Sequence, residues 1–172
     1  MPHGPLTLVL GGARSGKSRF AEGLVTRAPP PWTYIATAQA FDDEMRARIA
    51  AHRDGRLPGW RTVEAPMDLA GALRDAPGPV LVDCLTLWLS NLMLAESDLA
   101  AATAGLTAAL DRAAPTVLVS NEVGLGIVPD NALARRFRDA AGILHQQLAA
   151  RASCVVFTVA GLPLFVKGSA DD

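Results

Sequence analysis

The chain has 172 residues, a formal net charge of −1, and a composition in which half of the residues are hydrophobic. This composition excludes an intrinsically disordered protein and predicts one domain over residues 1–172. The balanced charge argues against a nucleic-acid or membrane-coating protein, because both need surplus basic charge. No apolar run is as long as the ~18 residues of a membrane span, and the N-terminus has no leader pattern, so we expect a cytoplasmic protein with a small ligand.

Short apolar runs without alternation predict β-strands that are buried on both faces. They cover residues 7–10, 33–36, 80–82, 116–119 and 154–159. Apolar residues at helical spacing lie between them. They predict four helices. The first follows Lys17, the second includes Met45, Ile49 and His52, the third covers residues 99–114, and the fourth extends from Leu133 to Leu148. The alternation predicts an α/β domain whose mostly parallel sheet is flanked by helices, with a turn and a short antiparallel edge strand at 161–167.

A phosphate-binding loop is predicted between the first strand and the first helix. Its sequence is Gly11-Gly12-Ala13-Arg14-Ser15-Gly16-Lys17-Ser18, which matches GxxxxGK[ST] in the strand-to-helix context that this motif requires. Backbone N–H groups and the helix N-terminus would hold phosphate, Lys17 would contact the β- and γ-phosphates, and the Ser18 hydroxyl would bind Mg²⁺.

Two acidic residues follow other buried strands. Asp83 follows the run at 80–82 and is a candidate Mg²⁺ ligand of the Walker B type; it could also cap the next helix, and the two roles are compatible. Glu122 is predicted to lie at the carboxyl edge of the sheet. It could orient a water, a hydroxyl or the metal shell, or only begin the loop 123–126.

His52 is the candidate nucleophile among the three histidines. It ends a predicted helix in an arginine-rich segment, and a neutral imidazole there could attack an α-phosphorus to form a phosphoramidate. The alternatives are a structural histidine near a helix C-terminus, a solvated basic helix face, or contact with a nucleic-acid backbone. By contrast, His145 is predicted to be a surface or interface residue. Cys84 and Cys154 are predicted to be small buried hydrophobic residues.

Several blocks together resemble the bifunctional adenosylcobinamide kinase / adenosylcobinamide-phosphate guanylyltransferase family of cobalamin biosynthesis. They are GGARSGKS at 11–18, Tyr34-Ile35-Ala36-Thr37, Asp43-Glu44-Met45 with Arg48-Ile49 and His52, Trp60-Arg61-Thr62 with Glu64, Ser120-Asn121-Glu122-Val123-Gly124-Leu125-Gly126-Ile127-Val128-Pro129, and Gly161-Leu162-Pro163-Leu164 with Lys167. The resemblance covers nearly the whole chain.

The resemblance implies a RecA-like P-loop fold and two reactions. ATP or GTP phosphorylates adenosylcobinamide, and GTP then donates GMP to adenosylcobinamide phosphate, which gives adenosylcobinamide-GDP and pyrophosphate. The guanylyl group would pass through His52, with Mg²⁺ as cofactor held by Ser18 and Asp83. Besides 11–18, the implied nucleotide contacts are Thr37, Ala38, Gln39, Arg53, Asp54, Gly55, Arg56, Glu64 and Asp83. A homotrimer is also implied.

The chain departs from the family pattern at three positions. Ala51 precedes His52 where some relatives have two histidines in tandem, Asp83 stands where others have Glu, and His145 stands where the motif has Asn. Two other functions stay open on the residues alone. One is a simpler P-loop small-molecule kinase or ATPase, and the other is a RecA-like nucleic-acid-binding ATPase, both with a structural His52.

Overall fold

The apolar strands pair into one sheet in the computed structural model, which describes residues 5–39 and 57–169. The described strands are β1 (Leu6–Gly11), β2 (Trp32–Ala36), β3 (Trp60–Glu64), β4 (Val80–Asp83), β5 (Thr116–Asn121), β6 (Cys154–Val159) and β7 (Leu162–Lys167). Their order across the sheet is β3-β2-β4-β5-β1-β6-β7. All neighbouring pairs are parallel except β6 and β7, which are antiparallel.

Helices cover both faces of this sheet. The described helices are α1 (Lys17–Val25), α2 (Leu69–Asp75), α3 (Leu85–Leu94), α4 (Leu99–Ala109) and α5 (Ala132–Arg151). Leu8 packs in the core cluster shared with α2 to α5, while Val9 packs in the cluster shared with α1. Successive strand residues therefore face different cores, which explains the apolar runs without alternation. Within the described ranges, no helix combines the length and apolarity needed to cross a membrane.

The five predicted strands and the antiparallel edge strand are confirmed, with shifts of one or two residues at their ends. Strand β3 was not predicted, because Arg61, Thr62 and Glu64 are exposed at the sheet edge and give no apolar run. Helix α2 was also missed, whereas α3 is the helix that was expected after Asp83 without bounds. The helix predicted for 99–114 ends at Ala109. The helix predicted around Met45, Ile49 and His52 lies outside the described residues.

Lys167, one of the two lysines of the chain, joins the last strand to the longest described helix. Its Nζ donates hydrogen bonds to the carbonyl oxygens of Ala149 (2.9 Å) and Ala150 (3.2 Å), in the last turn of α5. A cation at a helix C-terminus satisfies unpaired carbonyls and interacts favourably with the helix dipole. The match of Lys167 to the family pattern therefore has a structural explanation.

Candidate active site at the carboxyl edge of the sheet

The phosphate-binding loop lies between β1 and α1, as predicted, and is held against the β6–β7 turn. Gly16 has a φ of 89°, and a Cβ at this position would lie 3.0 Å from the Cα of Gly161. The N–H of Gly161 donates to the carbonyl oxygen of Ser15 at 2.9 Å. Only glycine accommodates both the left-handed backbone and this close approach. The β6–β7 turn thus fixes the shape of the loop.

Lys17 is the first residue of α1 and is buried, with 8% of its surface exposed. Its Nζ donates to the carbonyl oxygen of Gly12 at 2.9 Å, across the loop. An ammonium carries three donors. The side chain is therefore held at the loop with donor capacity beyond the bond to Gly12.

Asp83 ends β4 with its carboxylate oriented by a tyrosine. The hydroxyl of Tyr34 donates to Asp83 Oδ2 at 3.0 Å. The next helix begins at Leu85 with Cys84 as its N-cap residue, and among the described residues no side chain caps it. The prediction that Asp83 also caps this helix is therefore wrong, and its role as a metal ligand stays a prediction.

The buried Cys84 thiol lies within electrostatic range of both Asp83 and Lys17. Burial raises the pKa of Cys84, the negative charge of Asp83 raises it further, and the hydrogen bond with Thr86 and the charge of Lys17 lower it. The charges of Asp83 and Lys17 therefore act on this thiol in opposite directions. Cys84 and Cys154 are both buried, as predicted, and are not joined in a disulfide.

Thr37 links the ends of β2 and β4. It is fully buried, and its hydroxyl donates to the carbonyl oxygen of Cys84 (2.6 Å) and accepts from the Cys84 N–H (2.8 Å). Its own carbonyl accepts from the side-chain amide of Asn91 at 2.8 Å. The structure therefore gives Thr37 a positioning role, and its predicted nucleotide contact stays a prediction.

The structure describes only some of the other predicted nucleotide contacts. Ala38 and Gln39 are half-buried beyond β2, and Glu64 is exposed at the end of β3, where it pairs in register with Ala36. The proposed nucleophile His52 and the predicted contacts at 53–56 lie outside the described residues. The roles of all these residues stay predictions.

His145 is buried, so the prediction of a surface or interface position is wrong. Only 7% of the residue is exposed, and its Nε2 lies 2.7 Å from the hydroxyl of the fully buried Ser120. Its Nδ1 lies 3.9 Å from Glu122 Oε2. Burial lowers the pKa of His145, and the charge of Glu122 partly opposes that effect. His145 can lie among the buried residues of α5 because Ser120 provides a polar partner for its imidazole.

Glu122 follows β5 beside the P-loop. Its backbone N–H donates to the carbonyl oxygen of Gly11 at 3.0 Å, and its Oε1 accepts from the Gly124 N–H at 2.6 Å. The carboxylate is partly exposed, with 23% of the side chain accessible. Glu122 is therefore at the carboxyl edge, as expected, with one oxygen held by its own loop.

A recess of about 380 Å³ lies between the P-loop and Glu122. Its lining includes Ala13, Thr86, Ser90, Asn121, Glu122 and Phe137. The sequence reasoning did not single out Thr86, Ser90 or Phe137 as site residues. Phe137 lies within the helix predicted from Leu133 to Leu148, and apolar residues at helical spacing give no sign of a ligand site.

A larger groove of about 790 Å³ lies elsewhere, along α4 and α5. Leu99, Ala104 and Ile143 are among its lining residues. The charged side chains in that lining, Asp111 and Arg151, form an ion pair with each other. No P-loop residue lines this groove, and its paired charges offer little chemistry, so the smaller recess is the better candidate for catalysis.

The donor set at the P-loop fits Mg²⁺. The Ser18 hydroxyl and the Asp83 carboxylate would supply hard oxygen ligands, and Mg²⁺ at such sites takes few protein ligands together with substrate phosphates and water. In the described part of the chain there is no group of three or more His, Cys, Asp or Glu residues that could hold a metal.

Comparisons with known proteins agree on one family. A family model described as cobinamide kinase / cobinamide phosphate guanyltransferase matches residues 7–166. The bifunctional adenosylcobalamin biosynthesis protein CobP of Pseudomonas aeruginosa is 52% identical over 167 positions, covering 94% of this chain and 96% of that protein. The bifunctional protein CobU of Salmonella typhimurium is 45% identical over 181 positions, covering 94% of this chain and 99% of that protein.

One solved structure has a similar overall fold. The RadB recombinase is similar with a TM-score of 0.51 at 18% identity, covering 89% of this chain and 73% of that one. At this level of identity the likeness concerns the fold alone. It confirms the predicted α/β architecture.

Proposed function

This chain belongs to the cobinamide kinase / cobinamide phosphate guanyltransferase family, and we propose that its GMP transfer proceeds through a covalent intermediate on His52. The enzyme is an adenosylcobinamide kinase and an adenosylcobinamide-phosphate guanylyltransferase. The observation that carries this conclusion is the family match over residues 7–166. It includes the P-loop, His52 and the acid that ends β4.

Guanylyl transfer through histidine divides one displacement into two. In the first step, an imidazole nitrogen of His52 bonds to the α-phosphorus of GTP, and the bond from that phosphorus to the bridging oxygen of the β-phosphate breaks to release pyrophosphate. In the second step, a phosphate oxygen of adenosylcobinamide phosphate attacks the same phosphorus and the P–N bond breaks. Imidazole suits both steps as nucleophile and leaving group. Arg53 and Arg56 are proposed to stabilise charge on the α-phosphoryl oxygens.

The P-loop and Asp83 provide the common nucleotide site for the two reactions. Lys17 and the loop N–H groups would bind phosphate oxygens, while Ser18 and Asp83 would hold Mg²⁺. Bound Mg²⁺ supplies charge neutralisation on the phosphates as the leaving group departs. The hydrogen bond from Tyr34 to Asp83 orients the carboxylate for that contact.

The partners proposed for the chain are small molecules and copies of itself. They are GTP, ATP, adenosylcobinamide and its phosphate, with Mg²⁺ as cofactor and no nucleic acid. We further propose a homotrimer. Sedimentation equilibrium tests this: a mass of three chains supports the proposal, and a monomer would contradict it.

A labelling experiment tests the intermediate. The protein is incubated with Mg²⁺ and GTP radiolabelled at the α-phosphorus. We expect an acid-labile label on the protein that disappears in His52→Ala and persists in the matched control His3→Ala. Active protein that never carries label would contradict the proposal and favour a simple P-loop kinase with a structural His52.

A nucleic-acid-binding ATPase is tested separately. Binding to single-stranded DNA or RNA at low ionic strength, weakening as salt rises, would support that alternative. We expect no such binding.

A further inference from the structure

The recess beside the P-loop has the chemical character of a site for an alcohol. Of the described residues that line it, only Glu122 is charged, and the others are apolar or neutral, such as Ser90, Asn121 and Phe137. A phosphate group would meet a carboxylate here without a cation in the lining. A hydroxyl group, by contrast, can donate its proton to that carboxylate. The lining therefore favours a neutral acceptor over an anionic one.

The walls of the recess are fixed by hydrogen bonds. The side-chain amide of Asn121 donates to the hydroxyl oxygen of Thr86 at 2.9 Å, and the backbone N–H of Asn121 lies 3.3 Å from the same oxygen. These contacts join the end of β5 to the first turn of α3. Since Thr86 is buried, the wall that leads to Glu122 is preorganised.

The two carboxylate oxygens of Glu122 have different surroundings. Oε1 accepts from the Gly124 N–H at 2.6 Å, whereas Oε2 lies 3.9 Å from His145 Nδ1, beyond hydrogen-bond distance. Burial lowers the pKa of His145, which disfavours the charged imidazolium that an ion pair with Oε2 would need.

The P-loop borders the same recess. Ala13 lines it, and the backbone N–H of Glu122 donates to the carbonyl oxygen of Gly11 at 3.0 Å. In P-loop enzymes the loop holds the β- and γ-phosphates. An acceptor in the recess would therefore lie between the carboxylate of Glu122 and a nucleotide on the loop.

We propose that this recess is the acceptor subsite of the kinase reaction and that Glu122 is its general base. The hydroxyl proton of adenosylcobinamide passes to Glu122 Oε2 as the hydroxyl oxygen bonds to the γ-phosphorus. The bond between that phosphorus and the β,γ-bridging oxygen breaks, and a nucleoside diphosphate leaves with the bond electrons. Glu122 then releases the proton to solvent. This inference rests on the kinase activity of the family.

The two activities of the enzyme allow a sharp test, because only the kinase acceptor has a proton to lose. Adenosylcobinamide phosphate is already ionised and needs no base. Glu122→Gln keeps the size of the side chain and an oxygen for the Gly124 N–H. We expect the ratio of kinase to guanylyltransferase turnover to fall at least about 100-fold, a typical contribution of general base catalysis. The transferase is assayed separately with adenosylcobinamide phosphate and GTP.

The matched control is Glu96→Gln, the same change on an exposed turn after α3. It should leave the ratio unchanged. If Glu122→Gln also leaves the ratio unchanged, whether both rates persist or both fall together, Glu122 is not the base. Wild-type protein that does not phosphorylate adenosylcobinamide at all would instead contradict the kinase activity itself.

A second variant tests the recess independently of the base. Ser90→Leu places additional volume in the lining, and we expect a higher KM for adenosylcobinamide in the kinase reaction without a matching change in the KM for ATP. An unchanged KM for adenosylcobinamide would overturn the acceptor subsite.

Discussion

His145 Nε2 and Ser120 Oγ lie 2.7 Å apart in the interior between α5 and β5, where Ser120 is fully buried. Because burial lowers the pKa of His145, its imidazolium loses a proton at a lower pH in the folded protein than in the unfolded chain. Below about pH 6.5 the unfolded chain is the more protonated state, so stability contributed by neutral His145 is lost as pH falls towards the folded pKa.

The unfolding free energy of the wild-type protein should therefore fall between about pH 7.5 and about pH 5.5. We predict that it falls by less in His145→Asn. Urea denaturation of wild type and variant at the two pH values measures this. His3 and His52 are present in both proteins, so the difference reports His145. Equal pH dependence in the two proteins would show that His145 does not have a lowered pKa.

Thr37→Val is expected to destabilise the fold rather than only weaken nucleotide binding. The change leaves the buried N–H of Cys84 without its acceptor, which costs about 1–3 kcal/mol. Thr37→Ser keeps the hydroxyl and should retain most of the stability. Unchanged unfolding free energy in Thr37→Val, combined with weaker GTP binding, would instead favour a direct nucleotide contact.

Lys17→Ala should abolish both reactions, because both use the phosphates held by the P-loop. Lys17→Arg should not restore them, since a planar guanidinium cannot replace a compact ammonium that is buried against the loop. Separate kinase and transferase assays provide the measurement. Retained kinase activity in Lys17→Ala would place the phosphate site elsewhere.

Asp83→Asn should raise the Mg²⁺ concentration needed for half-maximal rate in both reactions. The amide keeps the shape of the side chain and can still accept from Tyr34, but it lacks the charge that Mg²⁺ favours. Tyr34→Phe keeps the carboxylate and should have a smaller effect. Identical Mg²⁺ titrations for wild type and Asp83→Asn would remove Asp83 from the metal site.

The sequence predicted the parts of the fold whose signals are local. Strands buried on both faces appear as apolar runs, and the P-loop has fixed spacing in a strand-to-helix context. Strand β3 was missed because an exposed edge strand with Arg61 and Glu64 lacks that signal. Its pairing with β2 depends on distant residues.

Positions whose role depends on tertiary contacts could not be predicted in this way. His145 follows Leu144 on α5, and only the position of Ser120 across the core shows why an imidazole is buried there. Thr37 matched a nucleotide-contact pattern, but its hydroxyl binds the Cys84 backbone, 47 residues away in the chain. Lys167 likewise shows its role only when β7 lies beside the end of α5.

Single-turnover transfer from the labelled protein tests the guanylyl-histidine most directly. Protein labelled from GTP at the α-phosphorus is freed of nucleotide and mixed with adenosylcobinamide phosphate. We predict that the label leaves His52 and appears in adenosylcobinamide-GDP at least as fast as steady-state turnover. Product formation in the steady state by protein that carries no label, or a label that stays on the protein, would contradict the covalent route.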